Sequence, residues 1–196
     1  MDFHPLPASA AWLHHGSRSG FEVVFFHTVD EGYRIAGHTT AVESGQAWLV
    51  GYEIYLDRDW VTRTAVVSGH SASGTRSTRL AADGLGRWQV DGIAAPHLDG
   101  CLDVDLESSA LTNAFPIHRL GVPVGSRADA PAAYIRAVDL SVSRLEQTYS
   151  REHDTDAGQR YEYAAPAFDF ACTVVYDDAG LVLDYPRIAT RVELGG

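Results

Sequence analysis

Between residues 47 and 56 the chain alternates with a period of two, so that Trp48, Val50, Tyr52, Ile54 and Leu56 share one parity. Side chains alternate across a strand, and this pattern therefore predicts a strand with one fully apolar face. It is the cleanest such pattern in the chain, and similar runs flank it. Residues 21–28 (FEVVFFHT) are rich in β-branched and aromatic side chains, and residues 33–42, 60–70 and 75–82 read as further strands. Asp30-Glu31-Gly32, Ser44-Gly45 and the small residues 71–74 supply the turns between them. Asp-Gly pairs at 83, 91 and 99 bracket short strands around Trp88 and Ile93, because Asp-Gly favours the positive φ of tight hairpins.

The later chain continues in the same way. Strands are expected over 133–141, 145–152, 160–164 and 181–185. Another is expected over 168–176, where Phe168, Phe170, Cys172, Val174 and Tyr176 share a face. One short helix is expected within 108–120, its length limited by Pro116. Residues 1–19 read as an irregular N-terminal segment, with Trp12 and Leu13 docking on the body. No βαβ rhythm and no linker is visible. The fold class is therefore mainly β: a single domain over 1–196, an antiparallel barrel, half-barrel or sandwich of roughly ten strands with little helix.

Bulk properties narrow the function. The net charge is −11, and the 15 basic residues are all Arg and scattered, which argues against nucleic acid as a partner. No apolar run reaches the ~18 residues of a membrane span. The first twenty residues lack the apolar stretch of a signal peptide, and only two cysteines, Cys101 and Cys172, occur. The expectation is a cytoplasmic protein, not membrane-spanning, with both thiols reduced.

The stretch 97–120 departs most from what a plain β protein needs. Asp99, Cys101, Asp103 and Asp105 share one parity, and Leu98, Leu102, Val104 and Leu106 the other. A polar segment with Thr112, Asn113, Pro116, His118 and Arg119 follows. A solvated strand face explains the carboxylate row most simply. A metal site is disfavoured: carboxylates two residues apart on a strand lie roughly 7 Å apart, and no HExxH, CxxC or EF-hand loop accompanies them. Cys101 is a poor nucleophile, since neighbouring carboxylates raise a thiol's pKa. With no Gly-x-Ser-x-Gly elbow and no glycine-rich phosphate loop, no catalytic residue and no cofactor is expected.

The aromatic residues offer another reading. A curved sheet lined by aromatic side chains, with a few polar groups at one end, is how a pocket for an amphiphile is built. Aromatic faces stack on sugar rings, while carboxylates and Asn hydrogen-bond to hydroxyls.

Trp88 with Asp91-Gly92, LDGCLDVDL at 98–106 and TNAFPIHRL at 112–120 together resemble the bacterial family called putative glycolipid-binding, formerly a domain of unknown function. EQTYSR at 146–151, RYEY at 160–163 and GLVLDYPRIATRV at 180–192 add to the likeness, as does the Tyr52–Trp60 region. The family's Asp-Gly-Cys-x-Asp-x-Asp run falls on Asp99, Gly100, Cys101, Asp103 and Asp105. Its Thr-Asn pair falls on Thr112 and Asn113, and its Arg-Leu on Arg119 and Leu120. His118 stands where the pattern has Arg. The resemblance implies a curved antiparallel half-barrel, similar to lipoprotein carriers, around a central apolar cavity.

The reading that results is non-enzymatic binding of an amphiphilic small molecule, a glycolipid or related lipid. Its candidate walls are Trp48, Tyr52, Trp88, Phe168 and Phe170, and its candidate polar end is Asp103, Asp105, Asn113 and Arg119. Two alternatives stand beside it. One is an enzyme acting on a lipid-linked or sugar substrate, in which Asp103 and Asp105 serve as acid and base. The other is a structural or protein-interaction module, with Arg119 paired to the Asp row.

Overall fold

The computed structural model describes residues 3–193. Its strands are β1 (Ser9–His14), β2 (Arg18–Val29), β3 (Gly32–Glu43), β4 (Gln46–Asp57), β5 (Thr62–Ser71), β6 (Gly74–Ala82), β7 (Trp88–Val90), β8 (Ile93–Ala94) and β9 (Asp103–Leu106). A single α-helix, α1 (Ala114–Leu120), comes next. Then follow β10 (Arg127–Asp129), β11 (Ala132–Ile135), β12 (Val142–Leu145), β13 (Thr148–Arg151), β14 (Gln159–Ala165), β15 (Phe170–Tyr176), β16 (Val182–Tyr185) and β17 (Ala189–Val192). The described residues form seventeen strands where roughly ten were expected, because short strands also form in segments that carry no strand pattern, such as residues 9–14 and 127–129. The predicted run 133–141 is strand only as far as Ile135, the end of β11, and the chain bends at Leu140, whose φ is +56°.

Fourteen strands form one antiparallel sheet in the order β10-β13-β14-β15-β16-β17-β1-β2-β3-β4-β5-β6-β7-β8. Strand β1 pairs with β2 on one side and β17 on the other, so the two ends of the chain meet in mid-sheet. This corrects the expectation that residues 1–19 are irregular: residues 9–14 are a central strand, and Trp12 donates from Nε1 to the carbonyl of Val182 at 2.8 Å. The edges β10 and β8 do not pair, so the sheet curls without closing into a barrel.

The cleanest sequence pattern translates directly. Trp48, Val50, Tyr52, Ile54 and Leu56 are all buried along β4, and each large side chain of this row contributes roughly 1.5–3 kcal/mol by leaving water. The hairpin turns follow from backbone chemistry. Ser44-Gly45 and Asp91-Gly92 each place two successive residues at positive φ, as a two-residue turn between twisted strands requires.

A second sheet, β12-β11-β9, occupies the concave side together with α1. Strands β9 and β11 pair in parallel, whereas the other strand pairs among the described residues are antiparallel. The ties reach both halves of the large sheet. Thr62 of β5 accepts from the Val104 amide at 3.0 Å, and Tyr149 of β13 donates to Asn113 at 3.0 Å. Phe115, Leu98 and Leu111 are fully buried there. The central space expected to be an apolar cavity is thus largely filled by the chain's own residues 95–145.

Candidate functional site

The stretch 97–120 forms a return loop through the middle of the molecule. A 3-10 turn at Pro96–Leu98 precedes it, β9 is its strand, and a second 3-10 turn at Leu111–Asn113 leads into α1. Pro116 is accommodated in the first turn of α1, where a missing amide proton costs little. The helix ends at Gly121, whose φ of +51° and amide bond to the Ile117 carbonyl make a left-handed cap.

The carboxylate row is not a solvated face. Asp103 and Asp105 are 1% and 7% exposed, because β9 is covered on both sides. Only Asp99, which precedes the strand, is exposed. Asp103 is clamped by Arg119, whose Nε and Nη2 donate to its two oxygens at 3.0 and 2.5 Å. Burial raises the Asp103 carboxyl, and Arg119 offsets only part of that rise. Asp105, two residues on, has no arginine partner. It accepts from the Thr112 hydroxyl at 2.8 Å, while that oxygen accepts from the Leu106 amide at 3.2 Å. Burial, with smaller contributions from Asp103 and Glu107, raises the Asp105 carboxyl to about 6 against the restraint of Thr112 and Gln147.

Asp105 lies in the wall of a cleft of about 190 Å³ between the return loop and strands β14 to β16. Asn113, Tyr134, Tyr163, Phe168 and Phe170 share that wall. The rings of Tyr134 and Phe168 lie 5.4 Å apart, and those of Tyr163 and Phe170 6.2 Å apart. Two tyrosines hold Asn113, Tyr176 donating to its backbone carbonyl at 3.3 Å and Tyr149 to its side-chain Oδ1 at 3.0 Å. Phe168 is 49% exposed. It stands in a 3-10 turn (Pro166–Phe168) that interrupts the predicted 168–176 strand, so its parity with Phe170 is incidental.

Four of the nine predicted residues therefore meet in one place: Asp105, Asn113, Phe168 and Phe170. The other five lie outside its lining. Asp103 and Arg119 form the clamp. Trp88 is buried and donates from Nε1 to the Cys101 carbonyl at 2.8 Å. Trp48 is buried with the Arg18 guanidinium 5.6 Å above its ring. Tyr52 passes over Gly37, where a Cβ would come within 2.4 Å of its ring, and donates to Glu22 at 2.6 Å.

Glu22 is a hub that went unnoticed in the sequence. Besides Tyr52 it accepts from the Ser109 hydroxyl and from the Ala110 amide at 2.8 Å, and His14 lies 3.3 Å away. It therefore pins the start of the second 3-10 turn to strands β1, β2 and β4. Arg18, Glu107, Ser109 and Tyr185, all in the cleft wall, were also missed. For Glu22 and Arg18 a signal existed. Both share parity with Val24 and Phe26, so a charge points inward on β2. The opposite face, with Phe21, Val23 and Phe25, is equally apolar and masked it.

The cysteines are unpaired, and burial raises Cys101 to about 11 and Cys172 to about 12, with Arg144 and Arg187 respectively opposing. Burial, more than the neighbouring carboxylates, keeps Cys101 a thiol. His118, stacked 3.6 Å from the Trp60 ring, is driven down to about 4 by burial and carries no charge at neutral pH. No described helix is long and apolar enough to cross a membrane.

An open, strongly curled antiparallel sheet with an internal plug places the chain among the barrel-like β proteins. The family model described as "Putative glycolipid-binding" matches residues 9–191, and the chain belongs to that family. A crystal structure of a DUF1089 family protein from Pseudomonas aeruginosa is similar, with a TM-score of 0.76 and 36% identity over 87% of this chain and 92% of that one. A beta-barrel-like protein of the domain of unknown function DUF1849 from Brucella abortus shares the fold. Its TM-score is 0.53 and its identity 9%, over 95% of this chain and 94% of that one. No curated protein matches the chain.

Proposed function

We propose that the chain binds the polar head of an amphiphile, of the glycolipid kind, without transforming it. The observation that carries this reading is the cleft itself. Tyr134, Tyr163, Phe168, Phe170 and Tyr185 surround a buried carboxylate and an amide, the combination that stacks on a sugar ring and bonds its hydroxyls. Its volume of about 190 Å³ is below the roughly 300–1,000 Å³ of pockets that enclose drug-sized ligands. The fit is therefore to a head group, with any acyl chain left outside, against the exposed Phe168 side of the cleft. This narrows the carrier reading, in which the chain would be swallowed whole.

Native mass spectrometry of gently purified protein, followed by denaturation and lipid analysis, tests the proposal. Near-stoichiometric co-purified amphiphile is the expected result. A clean apo mass with no uptake from a lipid extract would sink it and favour a purely structural module.

One observation favours a second reading, acid–base chemistry on a sugar. Asp105 is a buried carboxylate in a cleft with its pKa raised to about 6, as a general acid needs. Its supposed partner Asp103 is locked to Arg119 and lies outside the cleft lining, which leaves the pair incomplete. Turnover of aryl glycosides that disappears in Asp105→Asn while binding persists would establish the enzyme.

A further inference from the structure

Arg18 opens β2 and contributes to the wall of the same cleft, and it is 7% exposed. Its Nη1 donates to the Glu107 carbonyl at 2.6 Å, and its Nε finds no hydrogen-bond partner among the described residues. Three other arginines whose side chains are largely buried each have a carboxylate. Arg119 has Asp103, Arg151 has Asp154, and Arg191 has Asp177 at 3.7 Å. Arg18 forms no ion pair among the described residues; a tryptophan face and a peptide carbonyl are its compensation. A guanidinium cannot shed its proton, so a buried one without a counter-charge is costly unless something else supplies the charge.

We propose that Arg18 receives an oxyanion, a carboxylate or phosphate, carried on the head of the bound amphiphile, an inference that rests on the head-binding reading above. Guanidinium and oxyanion form charge-assisted bonds, often in pairs, and a site that excludes water strengthens them. Two carboxylates share the cleft, and each already has donors. Glu107 accepts from the Ala137 amide at 2.8 Å and lies 4.0 Å from Arg136, and Asp105 accepts from Thr112. They face hydroxyls comfortably and a second anion poorly. The preferred head therefore carries its charge on the Arg18 side and hydroxyls on the Asp105 side, as an acidic or phosphorylated sugar does. The Tyr134 hydroxyl, kept protonated mainly by burial, adds a neutral donor to the same wall.

The test compares octyl β-glucoside with octyl β-glucuronide, which differ by one carboxylate, and includes glucose 6-phosphate and free glucuronate. Affinities are measured by calorimetry for wild type, Arg18→Gln and Arg18→Lys. The expected result is a preference of tenfold or more for the glucuronide over the glucoside, collapsing to within about twofold in Arg18→Gln. Should that variant misfold, the wild type still reports. In nitrogen-edited NMR the Arg18 Nε–H resonance should shift with glucuronide and stay in place with glucoside. Equal binding of glucoside and both anionic sugars overturns the inference and leaves head binding standing. Tight, Arg18-dependent binding of the untailed anions with no gain from the octyl tail supports the oxyanion site and overturns the amphiphile reading. Failure of every probe to bind overturns both.

Discussion

Asp103 and Asp105 occupy one face of one four-residue strand, yet the two ends of β9 have become different kinds of place. At the Asp103 end a planar guanidinium matches both carboxylate oxygens, and the charge is cancelled where it is buried. At the Asp105 end only the Thr112 hydroxyl at 2.8 Å and the Gln147 side chain oppose the cost of burial, the pKa climbs to about 6, and a cleft opens. The first is the chemistry of a structural latch, which joins α1 to the plug sheet. The second is a buried carboxylate that faces a cleft in place of a counter-charge. Identical residues two apart differ in role because α1 delivers Arg119 to one and the second 3-10 turn delivers Thr112 to the other.

The comparison breaks most readily at the latch. Arg119→Ala leaves Asp103 buried and unpaired, and should cost about 3–5 kcal/mol in urea unfolding. Adding Asp103→Asn should recover much of that loss. If Arg119→Ala unfolds at the wild-type midpoint but loses ligand, the latch is itself part of the site.

At the other end the expected effect of substitution has the opposite sign. The folded Asp105 carboxyl sits near 6, above the ~3.9 of an unfolded chain, so folding favours its protonated form. Its contribution to stability is fully present below pH ~4 and is lost as pH rises through 6. Asp105→Asn imitates the protonated form and should raise stability at pH 8 by up to about 3 kcal/mol, with the gain fading toward pH 4. A variant that is destabilised at both pH values would show that the ionised carboxylate is needed by the fold.

Thr112→Val sharpens the contrast by removing the hydroxyl that donates to Asp105. It should cost roughly 1–3 kcal/mol, since the Leu106 amide also loses its acceptor. It should also move the Asp105 titration upward, which carbon-detected NMR would follow. The smallest structural effect belongs to Phe168→Ala. At an exposed turn the stability change should stay within about 0.5 kcal/mol, while affinity for a sugar-headed amphiphile falls roughly three- to tenfold, as for loss of one ring contact. Unchanged affinity would remove Phe168 from the cleft's working surface.

The hairpin half of the molecule was legible because its information is local. In β4 one apolar row and a Ser-Gly turn specify the strand, its inner face and its register with β3. The N-terminal strand was illegible for the converse reason. Residues 9–14 carry no strict alternation, and they are a strand because β2 and β17 bracket them. In the return loop, parity groups Asp103 with Asp105 but leaves open whether their face meets water or lines a cavity. A carboxylate row normally means water, and only the plug's position between two halves of a curled sheet makes it an interior. Trp48, Tyr52 and Trp88 were picked as aromatic walls. Periodicity shows which face a ring is on, whereas whether that face meets a cavity or packed atoms depends on what fills the concave side.

The sequence by itself determined a mainly antiparallel β protein, most of its hairpins and the stretch where something unusual happens, because alternation and turn chemistry act over a few residues. Only the tertiary structure decided which carboxylate is neutralised, which buried arginine forms no ion pair among the described residues and where the cleft lies. Those depend on side chains from β2, β9, β11 and β15 converging from distances in sequence over which no local pattern carries information.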